Sequence, residues 1–366
     1  MARELFARPL GLMAAAPIDE TGDYQPTGLR LAGGWLDFTN IEVIERIGGE
    51  RRSRLLGLSA YCERDWGRYT PAASDLLEAL RAPRKRIAGL PLDRPLMMGI
   101  VNITPDSFSD GGRLETAEAA IAHALRLEEE GADILDLGAE STRPGSDAVT
   151  VEEELRRLIP VIEGLAGRTN ARISIDTRKA EVMRRAAEAG ADIINDVSAL
   201  SFDPDAMEAA AESGLTIVLM HALGDPKTMQ DDPRYGDVTL EVFDYLESRI
   251  EAAEAAGLDR SRLVVDPGIG FGKTLAHNLQ LMAELGLFHA LGVPVLLGAS
   301  RKRFIGTLTG QDVAAERVSG SIGAALAAAG QGAQIIRVHD VAATRQALTV
   351  WEACLSGSAK SPGDFG

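Results

Sequence analysis

From residue 96 onward the chain repeats one pattern: a short apolar run that gives way to a polar residue. The runs 96–101, 134–135, 173–175 and 193–194 end at Asn102, Asp136, Asp176 and Asn195. The runs 217–220 and 263–265 end at His221 and Asp266. The run 293–298 leads to Ser300 and Lys302, and 335–338 alternates into Arg337 and His339. Helical spacing predicts helices over 115–130, 151–165, 180–189, 204–212, 240–255, 276–285, 313–329 and 342–355. Strand and helix thus alternate eight times. Short strands without polar alternation suit a parallel sheet covered by helices on its outer face. The expected fold is α/β, a (β/α)8 barrel (TIM barrel) over 95–356, with its site at the C-terminal ends of the strands. A polar residue at each of those ends points to one shared pocket and to an enzyme.

Residues 1–94 stand outside this repeat as an N-terminal extension of mixed structure. Within them, 29–44 carries Gly33-Gly34 between alternating flanks and predicts a hairpin. Leu76, Leu77 and Leu80 predict a helix over 72–81. The Pro- and cation-rich stretch 82–94 reads as a linker, or as a loop wrapping the bottom of the barrel. The extension reads as a structural cap, because no chemistry clusters in it, and 357–366 reads as a tail.

Composition narrows the function classes. A formal net charge of −16 argues against a nucleic-acid surface, which needs a basic stripe. It does not exclude an anionic substrate, since a few local cations dominate a cleft. Only Cys62 and Cys354 are present, which fits a reducing compartment. No apolar stretch approaches the roughly 20 residues of a membrane helix. The start of the chain lacks a secretory apolar region, so a cytoplasmic protein with no membrane partner is expected.

Two loops carry the most polar chemistry. Asn102-Ile103-Thr104-Pro105-Asp106-Ser107-Phe108-Ser109-Asp110-Gly111-Gly112 follows the first strand, and its composition suits a moving cover. Asp136-Leu137-Gly138-Ala139-Glu140-Ser141-Thr142-Arg143-Pro144-Gly145 follows the second, where Arg143 is suited to bidentate anion binding. Arg337 and His339, two apart on the last strand, are expected on one face. Asp196, directly after Asn195, should point the other way and serve structure.

Segments 98–112, 140–145 and 266–273 resemble the dihydropteroate synthase family of pterin-binding barrels, as do Ser300-Arg301-Lys302 and Arg337-Val338-His339-Asp340. The resemblance covers about 95–355, one motif per strand in the family's order. It implies condensation of 6-hydroxymethyl-7,8-dihydropterin pyrophosphate with 4-aminobenzoate, giving 7,8-dihydropteroate and pyrophosphate in folate biosynthesis. It also implies a 4-aminobenzoate site that is the sulfonamide target in the family, Mg²⁺ as cofactor, and a homodimer, and it leaves the sulfonamide susceptibility of this chain open.

The resemblance places Asp176, Asn195, Met220, Asp266, Phe271 and Lys302 around the pterin. Carboxylates accept from the N–H groups of an amino-pyrimidinone edge, and an amide serves either polarity. Asn102, Arg337 and His339 are implied for the pyrophosphate, with Asn102 also at the metal. Thr142, Arg143, Pro144 and Ser300 are implied for 4-aminobenzoate, and the loop residues Asp106, Phe108 and Asp110 complete the catalytic set with Asn102, Lys302, Arg337 and His339. An aromatic amine is already nucleophilic, so the reaction rests on positioning, water exclusion and leaving-group stabilisation. Ala139 stands where the family usually has a second Gly, and Ala222-Leu223-Gly224-Asp225 departs from its common loop. His221 is open between site and core. The alternatives are a pterin-binding methyltransferase, which has no use for the Ser300–Lys302 and Arg337/His339 pairs, and a non-catalytic pterin-binding barrel.

Overall fold

The computed structural model describes residues 3–15, 28–103, 113–140, 149–224 and 229–357. The extension opens with β1 (Leu5–Leu10), β2 (Met13–Ala14), β3 (Leu29–Arg30), β4 (Leu36–Phe38), β5 (Asn40–Ile47) and β6 (Glu50–Gly57). Helices α1 (Leu58–Glu63) and α2 (Thr70–Arg81) follow. The expected hairpin exists as β3 against β4, with Leu29 opposite Phe38. Residues 40–47 do not extend it, however. They pair with β1 on one side and β6 on the other, making a second three-stranded sheet. Ile47 faces Glu50 across Gly48-Gly49, both at positive φ, a tight turn that two glycines close without strain.

This extension shares the barrel's outer core. Phe6 meets Phe243 edge-on with ring centroids 5.3 Å apart. Arg46 pairs with Asp244 at 2.8 Å, and Arg51 reaches Glu284 at 2.9 Å and Asp237 at 3.2 Å.

The barrel strands are β7 (Leu96–Asn102), β8 (Ile134–Gly138), β9 (Arg172–Asp176), β10 (Ile193–Asp196), β11 (Thr216–Met220), β12 (Leu263–Asp266), β13 (Leu296–Leu297) and β14 (Ile335–Val338). Between and after them lie α3 (Arg113–Glu129), α4 (Val151–Leu165), α5 (Ala180–Ala189), α6 (Ala206–Ser213), α7 (Val238–Ala255) and α8 (Leu275–Ala283). The chain ends with α9 (Arg303–Thr309), α10 (Val318–Ala329) and α11 (Val341–Ser356). The helix expected over 313–329 is shorter. Its first residues form a separate 3-10 turn at Ala314–Glu316, and α9 precedes it. All ladders in the large sheet are parallel, and a bridge from Val265 to Val295 joins β12 to the segment entering β13, closing the barrel.

Inward-facing positions alternate with outward ones along each strand. The lower interior is apolar: Leu96, Met98, Ile134, Ile193, Val218, Val264, Leu296 and Ile335 pack as one cluster. Ile87 and Leu92, from the segment before β7, join the same cluster and seal the foot of the barrel. Two residues further along several of these strands the inward positions turn polar, and there the site begins.

Candidate active site

Asp136, Ser174, Asp176, Asn195, Asp266 and Arg337 follow the floor residues in strand order and face each other across the interior. Arg337 on β14 reaches over β7 to Asp136, with Nε donating at 2.6 Å, and further to Asp176, with Nη2 donating at 2.9 Å. Such reach is possible only for side chains that point into the barrel. Asp136 is fully buried and also accepts from Ser174 Oγ at 2.7 Å and from Asn195 Nδ2 at 3.3 Å. One guanidinium thus sits between two carboxylates in a largely buried layer. Burial, reinforced by Asp136, outweighs Arg337 and pushes the Asp176 carboxyl up to about 7. Asp176 does not cap the following helix, whose N-cap is Lys179.

Asp266 closes the other side of the layer. Its Oδ1 accepts from Gly268 N at 2.7 Å, and burial raises its pKa against the pull of Lys302. The loop after it bends through Gly268, Gly270 and Gly272, all at positive φ. A Cβ on Gly268 would lie 1.9 Å from the His221 carbonyl oxygen, and one on Gly272 would lie 2.6 Å from Leu223 Cβ. Only glycine lets these loops meet so closely. The divergent Leu223 thus meets Gly272 through its backbone and Cβ, with its side chain exposed. Lys302 runs along Gly270, donates to the Ile269 carbonyl and holds its Nζ 4.6 Å from the Phe271 ring centroid. Burial lowers its pKa to about 8.

Beneath the loop lies Lys273, buried, with Nζ on His221 Nδ1 at 2.9 Å and on the Phe271 carbonyl at 3.0 Å. Burial and the Lys273 charge hold His221 neutral, and its ring packs edge-on against Tyr245 at 4.8 Å. His221 therefore supports the loop from below.

Ser300 accepts from His339 N at 3.2 Å and lies 3.0 Å from His339 Nδ1, so these two residues are joined on the rim. His339 thus keeps company with Ser300, whereas Arg337 turns inward. Arg301 adopts φ +58° and makes a two-pronged ion pair with Asp340. Asn102 is half-buried at the end of β7, and Met220 is buried at the end of β11. Glu140 accepts from Val149 N at 3.0 Å and from Lys179 Nζ at 3.1 Å; the ammonium also binds Glu154 and the Val149 carbonyl. Asp196 turns away from the site and accepts from Ser198 and Leu200 backbone N–H groups.

Asp106, Phe108, Asp110, Thr142, Arg143 and Pro144 lie outside the described residues, as does Asp225. The structure brings together Asp176, Asn195, Asp266, Lys302, Phe271 and Arg337. It adds Ser174 and Lys273, which the sequence reading did not place, and gives a partner set to Asp136, which that reading put at a strand end without a role. The signal for Asp136 was present, because it ends an apolar run like its neighbours.

The site is thus a ring of buried carboxylates and an amide at the upper end of a closed parallel barrel, beside a lysine over an aromatic ring, as in enzymes built on this barrel. Residues 98–339 match the family model for pterin binding enzymes. Dihydropteroate synthase of Escherichia coli K12 is 52% identical over 267 residues, 73% of this chain and 94% of that protein. That of Neisseria meningitidis serogroup B is 54% identical over 268 residues, 72% and 93% of the two chains. The solved structure of the Xanthomonas albilineans enzyme with 4-aminobenzoic acid is 59% identical, has a TM-score of 0.69, and covers 73% of this chain and 96% of that one. The same enzyme with 7,8-dihydropteroate gives 56% identity, a TM-score of 0.66 and coverage of 72% and 95%. The chain belongs to the dihydropteroate synthase family.

Proposed function

We propose that the site joins 4-aminobenzoate to 6-hydroxymethyl-7,8-dihydropterin pyrophosphate, releasing pyrophosphate and 7,8-dihydropteroate. The activity is that of a transferase. The observation that carries the reading is the facing set Asp176, Asn195 and Asp266, which offers convergent acceptors in one buried layer beside Lys302. Relatives that match most of this chain have been solved with 4-aminobenzoic acid and with dihydropteroate.

In this reading the pterin edge donates to Asp176 and Asp266, and Lys302 donates to the ring's acceptor side. Phe271 and Met220 line its faces. The amine nitrogen attacks the pterin methylene carbon as the bond to the pyrophosphate oxygen breaks. The electron pair leaves with pyrophosphate, and the amine proton passes to solvent. Arg337, His339 and Asn102 stabilise the departing charge, which is the dominant electrostatic demand of such a step. Thr142, Arg143, Pro144 and Ser300 hold 4-aminobenzoate, and Asp106, Phe108 and Asp110 complete the catalytic set.

Mg²⁺ suits this donor set. Asn102 offers one hard oxygen at the strand end, and this ion takes most of its other ligands from substrate phosphates and water. When bound it supplies positive charge to the pyrophosphate. Among the described residues no helix is long and apolar enough to cross a membrane. A cytoplasmic homodimer is the proposed working form, with residues 1–94 as a structural cap.

The test is pyrophosphate release by the purified chain with both substrates and Mg²⁺. Release that needs each component and stops with a sulfonamide supports the reading. Tight pterin binding without release would leave a pterin-binding barrel that does other chemistry.

A further inference from the structure

We propose that Asp136 is the positioning residue that fixes which polarity Asn195 presents to the ligand, and that it thereby helps set the specificity of the pterin layer. The proposal rests on the pterin reading of the site and deepens it. Asp136 never touches the ligand in this scheme. It acts through its neighbours.

The argument starts from donor and acceptor inventory. An ionised carboxylate only accepts hydrogen bonds, and an amide carries an acceptor oxygen on one arm and an NH₂ with two donors on the other. Asp136 is fully buried, so its oxygens must be satisfied from within the protein. Oδ1 takes the Ser174 hydroxyl at 2.7 Å, and Oδ2 takes Arg337 Nε at 2.6 Å. Asn195 Nδ2 lies 3.3 Å from Oδ2 and 3.5 Å from Oδ1, so the amide nitrogen is committed to this carboxylate. A flipped amide would set oxygen against oxygen between two buried side chains, a costly contact. The orientation of the amide is therefore fixed, with its oxygen held as the acceptor that a ligand meets and the second N–H beside it. With Asp176 and Asp266 also acceptors, this side of the site is rich in acceptors and calls for a ligand edge rich in N–H donors, with Lys302 as the donor beside it. Arg337, clamped by the same carboxylate, keeps Asp176 from facing Asp136 unneutralised.

The sequence hides this role, because Asp136 looks like one more strand-end carboxylate. Its partners come from β9, β10 and β14, so only closure of the barrel creates the orientation.

Three variants test it: Asp136→Asn, Asn195→Asp, and the two together. Pterin pyrophosphate is the probe, read by calorimetry, with a thermal melt for folding. Asp136→Asn offers both polarities, frees the amide to flip, and should weaken binding about tenfold or more. Asn195→Asp sets two carboxylates face to face and should weaken it as well. The double variant restores a donor facing an acceptor, now from position 136 to position 195, and still shows the ligand an oxygen. It should recover affinity to within about threefold of wild type, which loss of a merely structural carboxylate would not permit. Wild-type affinity in Asp136→Asn, or weak binding in the double variant with a normal melt, overturns the proposal. Should Asp136→Asn fail to fold, Ser174→Ala loosens the same carboxylate. Weakened binding then supports the proposal, and unchanged binding overturns it. A wild-type chain that binds no pterin would instead overturn the reading beneath it.

Discussion

Asp266→Ala removes the carboxylate that closes one wall of the pterin layer. Its Oδ1 is occupied by Gly268 N at 2.7 Å, and the carboxylate remains for the ligand under the field of Lys302. Charge-assisted hydrogen bonds contribute about 1.5–3 kcal/mol each. Two pterin N–H groups on this carboxylate therefore account for about 3–6 kcal/mol, a loss of roughly 10² to 10⁴ in affinity at 1.4 kcal/mol per decade. Stability should change less. The Gly268 N–H loses its buried partner, at about 1–3 kcal/mol, but a carboxylate whose pKa is raised by burial also leaves the interior. Asp266→Asn separates the two effects, because its amide oxygen still accepts from Gly268 while its NH₂ opposes the ligand's donors. Calorimetry with pterin pyrophosphate and thermal denaturation of both variants give the answer. Affinity within threefold of wild type, with normal melting, would refute the assignment of this wall.

Other expectations follow from the same layer. Asp176 must be ionised to accept from the ligand and its pKa is raised to about 7, so pterin affinity should fall as pH drops below 7. Lys302 loses its proton near 8, so the profile of kcat/KM should be bell-shaped between these limits, and Asp176→Asn should remove the acid limb. Gly268→Ala forces a positive φ on a residue with a Cβ and drives that atom into the His221 carbonyl. The variant should lose at least tenfold in pterin affinity or fail to fold, as calorimetry and a melt will show. Arg337→Ala leaves Asp136 and Asp176 without their cation and should cost about 3–5 kcal/mol in denaturant unfolding, with Arg337→Lys recovering part of it. Chelation of Mg²⁺ should stop pyrophosphate release and leave binding of the bare pterin intact, which calorimetry in chelator will check.

The strand ends were readable because a parallel barrel gives each strand the same job. A buried run followed by Asp176, Asn195 or Asp266 announces a side chain at the catalytic end. What the sequence could not show is who meets whom across the interior. Nothing local tells that Arg337 reaches Asp136 over an intervening strand, or that Lys273 turns under its own loop toward His221. The sheet of β1, β5 and β6 escaped for another reason. β6, the sequence Glu-Arg-Arg-Ser-Arg-Leu-Leu-Gly, is a largely exposed edge with no buried face to print a pattern. Its one clear signal was Gly48-Gly49. The single helix expected over 313–329 gave way to two shorter pieces because small residues in that stretch carry little periodicity. The loops at 104–112 and 141–148 lie outside the described residues, and of the 4-aminobenzoate set Ser300 is the member described, on the rim beside His339.

Ile87 and Leu92 bear on how the molecule can be divided. Both precede the first barrel strand, yet both belong to the cluster that fills the barrel's foot. The border between extension and barrel is thus drawn in the sequence and erased in the packing. A barrel excised at residue 95 would be a vessel without a base, with its lowest ring of aliphatic side chains opened to water. Anyone transplanting the catalytic half into another scaffold must carry the 86–94 segment along, or design a new stopper for it.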